Sequence, residues 1–161
     1  MPKIYLSDFV NAPVQRCFDL SRSIDLHMLS TAQTKEVAVA GKTSGLISKG
    51  ETVTWEATHF FIRQQLTVVI EEMESPTYFT DRMVKGAFKS FYHQHCFDPD
   101  RGPEDNCTTM TELFTYEVPY GIFGKIFDKL ILKRYMTRFL VARFKMIKRF
   151  AESEEWRTVL K

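Results

Sequence analysis

The sequence predicts an α+β fold: a curved antiparallel sheet of six to seven strands wrapped around one long C-terminal helix, with two short helices after the first strand. Three observations carry this reading. Residues 3–10, KIYLSDFV, alternate Ile4, Leu6, Asp8 and Val10 against Tyr5, Ser7 and Phe9, the period-two pattern of a strand. Residues 34–118 hold a succession of β-branched and aromatic runs, punctuated by Gly41, Gly45, Gly50, Ser75-Pro76 and Lys85-Gly86, as consecutive strands with tight turns require. Residues 122–151 contain no Pro and only Gly124, and are otherwise good helix formers.

After the first strand, Asn11 suits an N-cap and Pro13 a first helical turn. Val14, Cys17 and Phe18 recur at helical spacing, which predicts a short helix to about Arg22 and a second over about 24–30. Strands are expected near 34–40 and over 51–61, 63–73, 77–84, 88–98 and 107–118, with a loop at 98–106 rich in Pro, Gly and Asp. Consecutive strands with short turns make an antiparallel meander, and the final helix is placed to cover its apolar face. On that helix Ile122, Ile126, Leu140, Phe144 and Ile147 share one side, whereas Phe127, Ile131 and Val141 lie elsewhere. A helix apolar on several sides packs against more than one thing, and a cleft between helix and sheet is the natural place for a ligand.

The chain has 161 residues, 44% hydrophobic, 26% charged and 14% aromatic, which fits a single folded domain over 1–161 and excludes disorder. No apolar run approaches the roughly 20 residues needed to span a bilayer. Three cysteines, Cys17, Cys96 and Cys107, cannot all pair with one another, and MPKIYLSDFV lacks a basic start followed by an apolar run. A reducing cytoplasmic location is therefore expected. Charge is uneven: residues 121–150 carry nine Lys/Arg against the single acid Asp128. This predicts a solvated basic face, with weak membrane-surface contact through the C-terminal helix as the alternative. Nucleic acid is not expected, since no aromatic–basic interleaving occurs on an exposed strand.

The segment FKSFYHQHCF (88–97) sets His93 and His95 two residues apart. Period two puts Phe91, His93, His95 and Phe97 on one face, which the two Phe residues direct inward. The same rule groups Trp55, Ala57, His59 and Phe61 on strand 51–61, and Met110, Glu112, Phe114, Tyr116 and Val118 on strand 107–118. Pairing across the 98–106 loop sets Glu112 opposite Phe91 or His93. It also brings Cys96 near Cys107, where free thiols are favoured over a disulfide.

The stretches NAPVQRCFDL (11–20), AGKTSGLISKGETVTWEATHFF (40–61), FTDRMVKGAFKSFYHQHCF (79–97) and MTELFTYEVPYGIFGKIFD (110–128) together resemble the START and birch-pollen-allergen superfamily, SRPBCC. The specific elements are W-x-x-x-H-F, G-x-F-x-x-F-x-H-x-H-x-F and P-x-G-x-x-G, and they look most like the small bacterial "cell division inhibitor-like" branch. Phe91, Ala87 and Glu112 stand where that group often has Trp, Pro and Asp. The resemblance implies a helix-grip fold enclosing an apolar cavity, and a histidine at the position of His27. The superfamily spans lipid transfer, polyketide cyclase steps, ring hydroxylation and chaperone co-activation, so what it implies for function is binding of a hydrophobic small molecule.

The expected ligand contacts are His27, Trp55, His59, Phe91, His93, His95, Phe97, Glu112, Phe114 and Tyr116. The alternative is a cyclase or dehydratase, with His93 or His95 as acid–base group and Glu112 orienting it. Metal binding would need a third ligand beside H-x-H, and neither a Cys nor a spaced partner is evident, so no metal and no cofactor are expected.

Overall fold

The structure is a computed structural model and describes residues 1–100 and 106–161. Its strands are β1 (Lys3–Val10), β2 (Val37–Gly41), β3 (Thr52–His59), β4 (Ile62–Glu74), β5 (Tyr78–Lys85), β6 (Ser90–Asp100) and β7 (Cys107–Glu117). They form one antiparallel sheet in the order β1-β7-β6-β5-β4-β3-β2: a meander from β2 to β7, with β1 returning beside β7. Two short helices, α1 (Val14–Ser21) and α2 (Ile24–Ser30), follow β1. Pro13 rather than Asn11 occupies the cap of α1, while Ser23 caps α2 by accepting from the Leu26 N–H at 3.1 Å.

The inward faces follow the expected alternation. On β7, Thr108, Met110, Glu112, Phe114 and Tyr116 are buried, and their neighbours in the chain are half-buried on the other face. On β6, Phe91, His93, His95 and Phe97 are buried. Irregular register at Thr67/Val68 and Ile70/Glu72, where β4 meets β5, adds the local twist that curves the sheet. Its concave face holds the core, closed by Leu140, Phe144, Ile147 and Phe150 from the C-terminal helix and by Phe18 from α1.

Four details depart from the sequence reading. Residues 32–34 form a 3-10 turn, so β2 starts at Val37. Strand β3 stops at His59, and Phe60-Phe61 make a two-residue turn to Ile62 with φ of 50° and 65°. Phe61 is therefore not on the inner face but fully exposed at a hairpin tip. The β6–β7 register is also shifted: β6 continues to Asp100, which pairs with Cys107, so Glu112 lies opposite His95 rather than Phe91 or His93. That shift is by an even number of residues, which is why every side chain keeps its expected face. It also separates Cys96, opposite Thr111, from Cys107, and all three cysteines are free. Of the expected 98–106 loop, residues 101–105 lie outside the described residues.

The long helix is not continuous. It consists of α3 (Gly121–Phe127), a π-helical turn (Asp128–Leu132) and α4 (Lys133–Glu152). Asp128 opens the wider turn, is buried, and accepts a hydrogen bond from the Tyr116 hydroxyl. The turn changes the helical phase. Ile122 and Ile126, expected on the side of Leu140 and Phe144, are accordingly 69% and 52% exposed. Among the described residues, no helix is long and apolar enough to cross a membrane.

Gly124 sets how closely α3 approaches the end of β7. A Cβ there would lie 1.9 Å from the Pro119 carbonyl oxygen, which is backbone and cannot swing aside. Gly124→Ala is expected to destabilise the protein by about 1–3 kcal/mol through forced backbone displacement, measured as a lower denaturant midpoint with an unchanged m-value.

Candidate functional site

Between the concave sheet and α4 lies a cavity of about 320 Å³, within the lower range of small-molecule sites. Most of its wall is apolar: Trp55, Val68 and Ile70 from the sheet, Phe91 and Phe114 beside them, and Met136, Phe139 and Leu140 from α4. The aromatic side chains are interlocked, with Phe91 and Phe114 centroids 5.1 Å apart and Phe88 edge-on to Phe91 at 5.9 Å. Such packing keeps the wall of the cavity in place.

Polar side chains converge at one end. Arg143 projects from α4 and is only 6% exposed. Its guanidinium donates to Glu112 Oε1 at 3.1 Å, to the Ser21 carbonyl at 3.0 Å and to His27 Nδ1 at 3.2 Å. Because His27 Nδ1 accepts, its Nε2–H donates to Glu36, and the ring stacks on Trp55 with centroids 4.0 Å apart. On the other side of Arg143, Glu112 Oε1 accepts from His95 Nδ1 at 3.3 Å, and His95 Nε2 donates to Asp81 Oδ1 at 3.0 Å. A continuous chain thus runs Glu36–His27–Arg143–Glu112–His95–Asp81. His93 sits beside it, its Nε2 3.3 Å from Glu112 Oε2 and its Nδ1 3.9 Å from Asp81 Oδ1. The 3.3 Å approach is misaligned, so His93 Nε2 and Glu112 Oε2 lack a hydrogen-bond partner among the described residues.

The electrostatics follow from burial opposed by neighbouring charge. Burial alone would raise Glu112, but His95 and Arg143 hold its carboxyl well below the ordinary range. Burial would lower His95, but the Glu112 and Asp81 carboxylates on either side raise it. For His93, burial and the adjacent His95 charge prevail over the same carboxylates, and its pKa is lowered. Asp81, which burial would raise, is held low by the imidazoles of His93 and His95 and by Arg143.

Of the ten expected contact residues, His27, Trp55, His59, Phe91, His93, His95 and Phe114 line the cavity. Phe97, Glu112 and Tyr116 do not. Phe97 packs edge-on against Phe18 of α1 at 5.5 Å, Glu112 lies behind the two imidazoles, and Tyr116 is tied to Asp128. His59 is apart from the polar chain, with Nδ1 2.7 Å from the Tyr135 hydroxyl. Two members of the polar cluster, Arg143 and Glu36, were not expected, and for a third the sequence left open which of the polar pair Asp81 and Arg82 faces inward. Asp81 faces inward because Asp81 pairs with His93 across β5–β6, while Arg82 points out to Glu71 at 2.8 Å. Arg143, expected on the solvated basic face, is instead buried. Its position within 140–143–144–147 is the signal that it shares the buried stripe of α4. Glu36 sits immediately before β2, where the sequence pattern carried no cue.

The cavity's opposite end opens between the β3–β4 hairpin and α3. Phe60, Tyr120 and Phe127 line it and are exposed, and the Phe60 and Phe127 rings lie 5.7 Å apart. Around this mouth, Phe61, Ile62, Ile122, Phe123, Ile126, Leu130 and Ile131 are also exposed. Interspersed with them are exposed Lys125, Lys129, Lys133 and Arg134, and the one acid of the stretch, Asp128, is buried.

No protein-family model and no curated protein matches this chain. Solved structures do resemble it in fold. A protein from Thermus thermophilus is 17% identical with a TM-score of 0.72, covering 92% of this chain and 95% of its own. A START superfamily protein from Mycobacterium smegmatis is 13% identical with a TM-score of 0.67, covering 93% and 97%. The ginseng major latex-like protein 151, from Panax ginseng, is 14% identical with a TM-score of 0.66, covering 94% and 98%. The chain has the helix-grip fold of these proteins.

Removing the Arg143 guanidinium leaves Glu112 buried among groups that no longer neutralise it. Arg143→Ala is expected to destabilise by about 3–5 kcal/mol. Arg143→Lys should recover little, because a single ammonium cannot reach Glu112, Ser21 and His27 together. Equilibrium denaturation measures both.

Stability should also depend on pH in a specific way. The raised His95 contributes fully below the ordinary histidine value and loses its contribution as pH rises through its folded pKa. The lowered His93, Asp81 and Glu112 contribute fully above their ordinary values and lose it as pH falls. The cluster's contribution is therefore greatest near about pH 6.5, falling on the acid side through His93 first and then the carboxylates. Thermal melts across pH should show this maximum, and His95→Gln should flatten the alkaline arm.

Proposed function

We propose that this protein binds an amphipathic small molecule, with its apolar body against the aromatic wall and its polar group at the Arg143–Glu112–His95–Asp81 end. The observation that carries this reading is the cavity itself: about 320 Å³, walled by interlocked aromatic and aliphatic side chains, with charged groups converging at one end only. A cavity meant only for stability would be filled, because empty apolar volume lowers stability. Exposure of charged and hydrogen-bonding atoms at its floor supplies orientation and selectivity to an otherwise non-directional site.

The mouth supports exchange of that molecule with an anionic membrane surface. Its rim combines large exposed apolar side chains with lysines and arginines, the composition of an interfacial membrane anchor. Holding Phe60 and Phe61 at positive φ costs on the order of 1 kcal/mol each, in a turn type that favours Asn and Gly. Phe60 packs on Phe127 and Tyr135, but Phe61 is fully exposed and gains nothing from the core, so insertion of this tip into an interface offsets its strain.

A second reading is acid–base catalysis on the bound molecule, favoured by His93, whose lowered pKa leaves a neutral imidazole facing the cavity. Turnover of a cyclisable polyketide, lost in His93→Ala, would support it over simple binding.

The binding reading is tested with a fluorescent fatty acid titrated into the purified protein. Saturable one-to-one binding is expected, weakened about tenfold by His93→Ala or Glu112→Ala, a change of about 1.4 kcal/mol. Equal affinity in both variants and the parent would remove the polar end from the site. For the mouth, co-sedimentation with vesicles containing phosphatidylglycerol should exceed that with phosphatidylcholine alone, and Phe60→Ser with Phe61→Ser should abolish the difference. Equal sedimentation of parent and double variant would sink the docking role.

A further inference from the structure

Asp81, His93 and His95 are brought together by the sheet rather than by the sequence. Asp81 is on β5 and pairs directly with His93 on β6, while His95 is its diagonal neighbour. One ligand atom from each of the three lies within 4.8 Å of the others. Asp81 Oδ1 is 3.0 Å from His95 Nε2 and 3.9 Å from His93 Nδ1. Ligands at about 2.0–2.1 Å around a tetrahedral ion are separated by about 3.3 Å, so Asp81 Oδ1 already stands near that spacing from both rings. Both histidines are buried and fixed to neighbouring positions of one strand, which restricts their motion.

The remaining ring nitrogens point the other way. His95 Nδ1 and His93 Nε2 each lie 3.3 Å from an oxygen of Glu112. A carboxylate placed behind an imidazole accepts a hydrogen bond from its N–H and turns the opposite nitrogen's lone pair towards a metal; here Oε1 accepts from His95 Nδ1, and Oε2 stands beside His93 Nε2. Arg143 holds that carboxylate in place at 3.1 Å. Without an ion, the His95 imidazolium and Arg143 together balance Asp81 and Glu112; a divalent cation between Asp81 and His95 Nε2 takes the place of the proton held there. The misaligned pair His93 Nε2 and Glu112 Oε2 needs only a small ring rotation to hydrogen-bond, and drawing His93 towards an ion supplies a reason for it.

We infer that Asp81, His93 and His95 form a site for a divalent transition-metal ion, with Glu112 orienting the two histidines. Two imidazoles and one carboxylate suit Zn²⁺-type ions rather than Mg²⁺ or Ca²⁺, which favour oxygen alone. All three ligands line the cavity and Glu112 does not, so the open coordination position faces the cavity. The polar group of a bound molecule, or water, occupies that position.

Zn²⁺ titrated against a chromophoric chelator should show one tight site per chain, with Mg²⁺ failing to compete. Co²⁺ should give visible bands of a low-coordinate nitrogen and oxygen site without a sulfur charge-transfer band, which separates this cluster from Cys17, Cys96 and Cys107. Ring resonances of two of the four histidines should shift on adding Zn²⁺. Asp81→Asn, close in shape to the parent, should lose the site, Glu112→Gln should weaken it by about 10–100-fold, and His59→Ala should leave it intact. The inference is overturned if the parent binds no stoichiometric Zn²⁺, if the Co²⁺ spectrum reports thiolate, or if Asp81→Asn binds as the parent does. The parent's Co²⁺ spectrum decides the matter even where a variant fails to fold. Fatty-acid binding measured with chelator present is a separate result, so either reading can fail alone.

Discussion

The buried contact between Arg143 and Glu112 is the constraint on which the interior depends. Arg143 comes from the C-terminal helix and Glu112 from a central strand, so the pair joins the two layers across the concave face. Neither charge can stay in an apolar core unless it is neutralised and its remaining donors and acceptors are occupied. Arg143 meets that demand by also reaching the Ser21 carbonyl and His27, whereas Glu112 meets it at Oε1, which accepts from His95 as well, and leaves Oε2 without a hydrogen bond beside His93. Each added partner belongs to a different element. One ion pair thereby orders α1, α2, β6 and α4 around a common point, and the cavity forms on the side that this point does not fill.

The two halves of the C-terminal helical region are held differently. Beyond Leu140, α4 is packed on the core and tied outward by Lys148 to Asp8 at 2.7 Å and by Glu152 to the Asn11 N–H at 2.9 Å. Before Leu132, α3 rests mainly on Pro119, through Gly124, and on the Tyr116–Asp128 hydrogen bond. Its apolar side chains face outward around the mouth. The π-helical turn lies at the change from one regime to the other. A helix that is well anchored only at one end can border an opening without weakening the core, because the core contacts are made elsewhere.

Much of this was legible in the sequence, and the parts that were not have physical causes. Side-chain alternation has a period of two, so the inward direction of Phe91, His93, His95, Glu112 and Phe114 could be read without knowing the register. Register depends on where a hairpin closes, and the continuation of β6 through Pro99 to Asp100 was not signalled by a loop rich in Pro and Asp. Facing was therefore recovered while pairing was not. Arg143 was hidden because a basic run reads as solvated, although its spacing with Leu140, Phe144 and Ile147 placed it on the buried stripe. Asp81 was undetermined because the turn between β5 and β6 sets the phase of its strand. The Phe60-Phe61 turn was hidden for a different reason: nothing in its composition marks a conformation that Asn or Gly ordinarily takes.

These omissions share a consequence for function. The sequence displays H-x-H and a carboxylate, which taken alone suggest an imidazole pair with one acidic partner. Folding adds Asp81, which faces the cavity beside the two rings, and Arg143, which pairs with Glu112, and so separates two carboxylates that are chemically alike. Glu112, neutralised by Arg143 and turned away from the cavity, acts on the rings; Asp81, on the cavity side, acts with them. Selectivity in an apolar cavity arises from such division, because apolar walls accept many shapes and only fixed polar atoms reject a wrong head group by leaving themselves unpaired. On the binding reading proposed above, the polar end would distinguish what the cavity holds, and the aromatic wall would determine only how large and how apolar the rest of that molecule is.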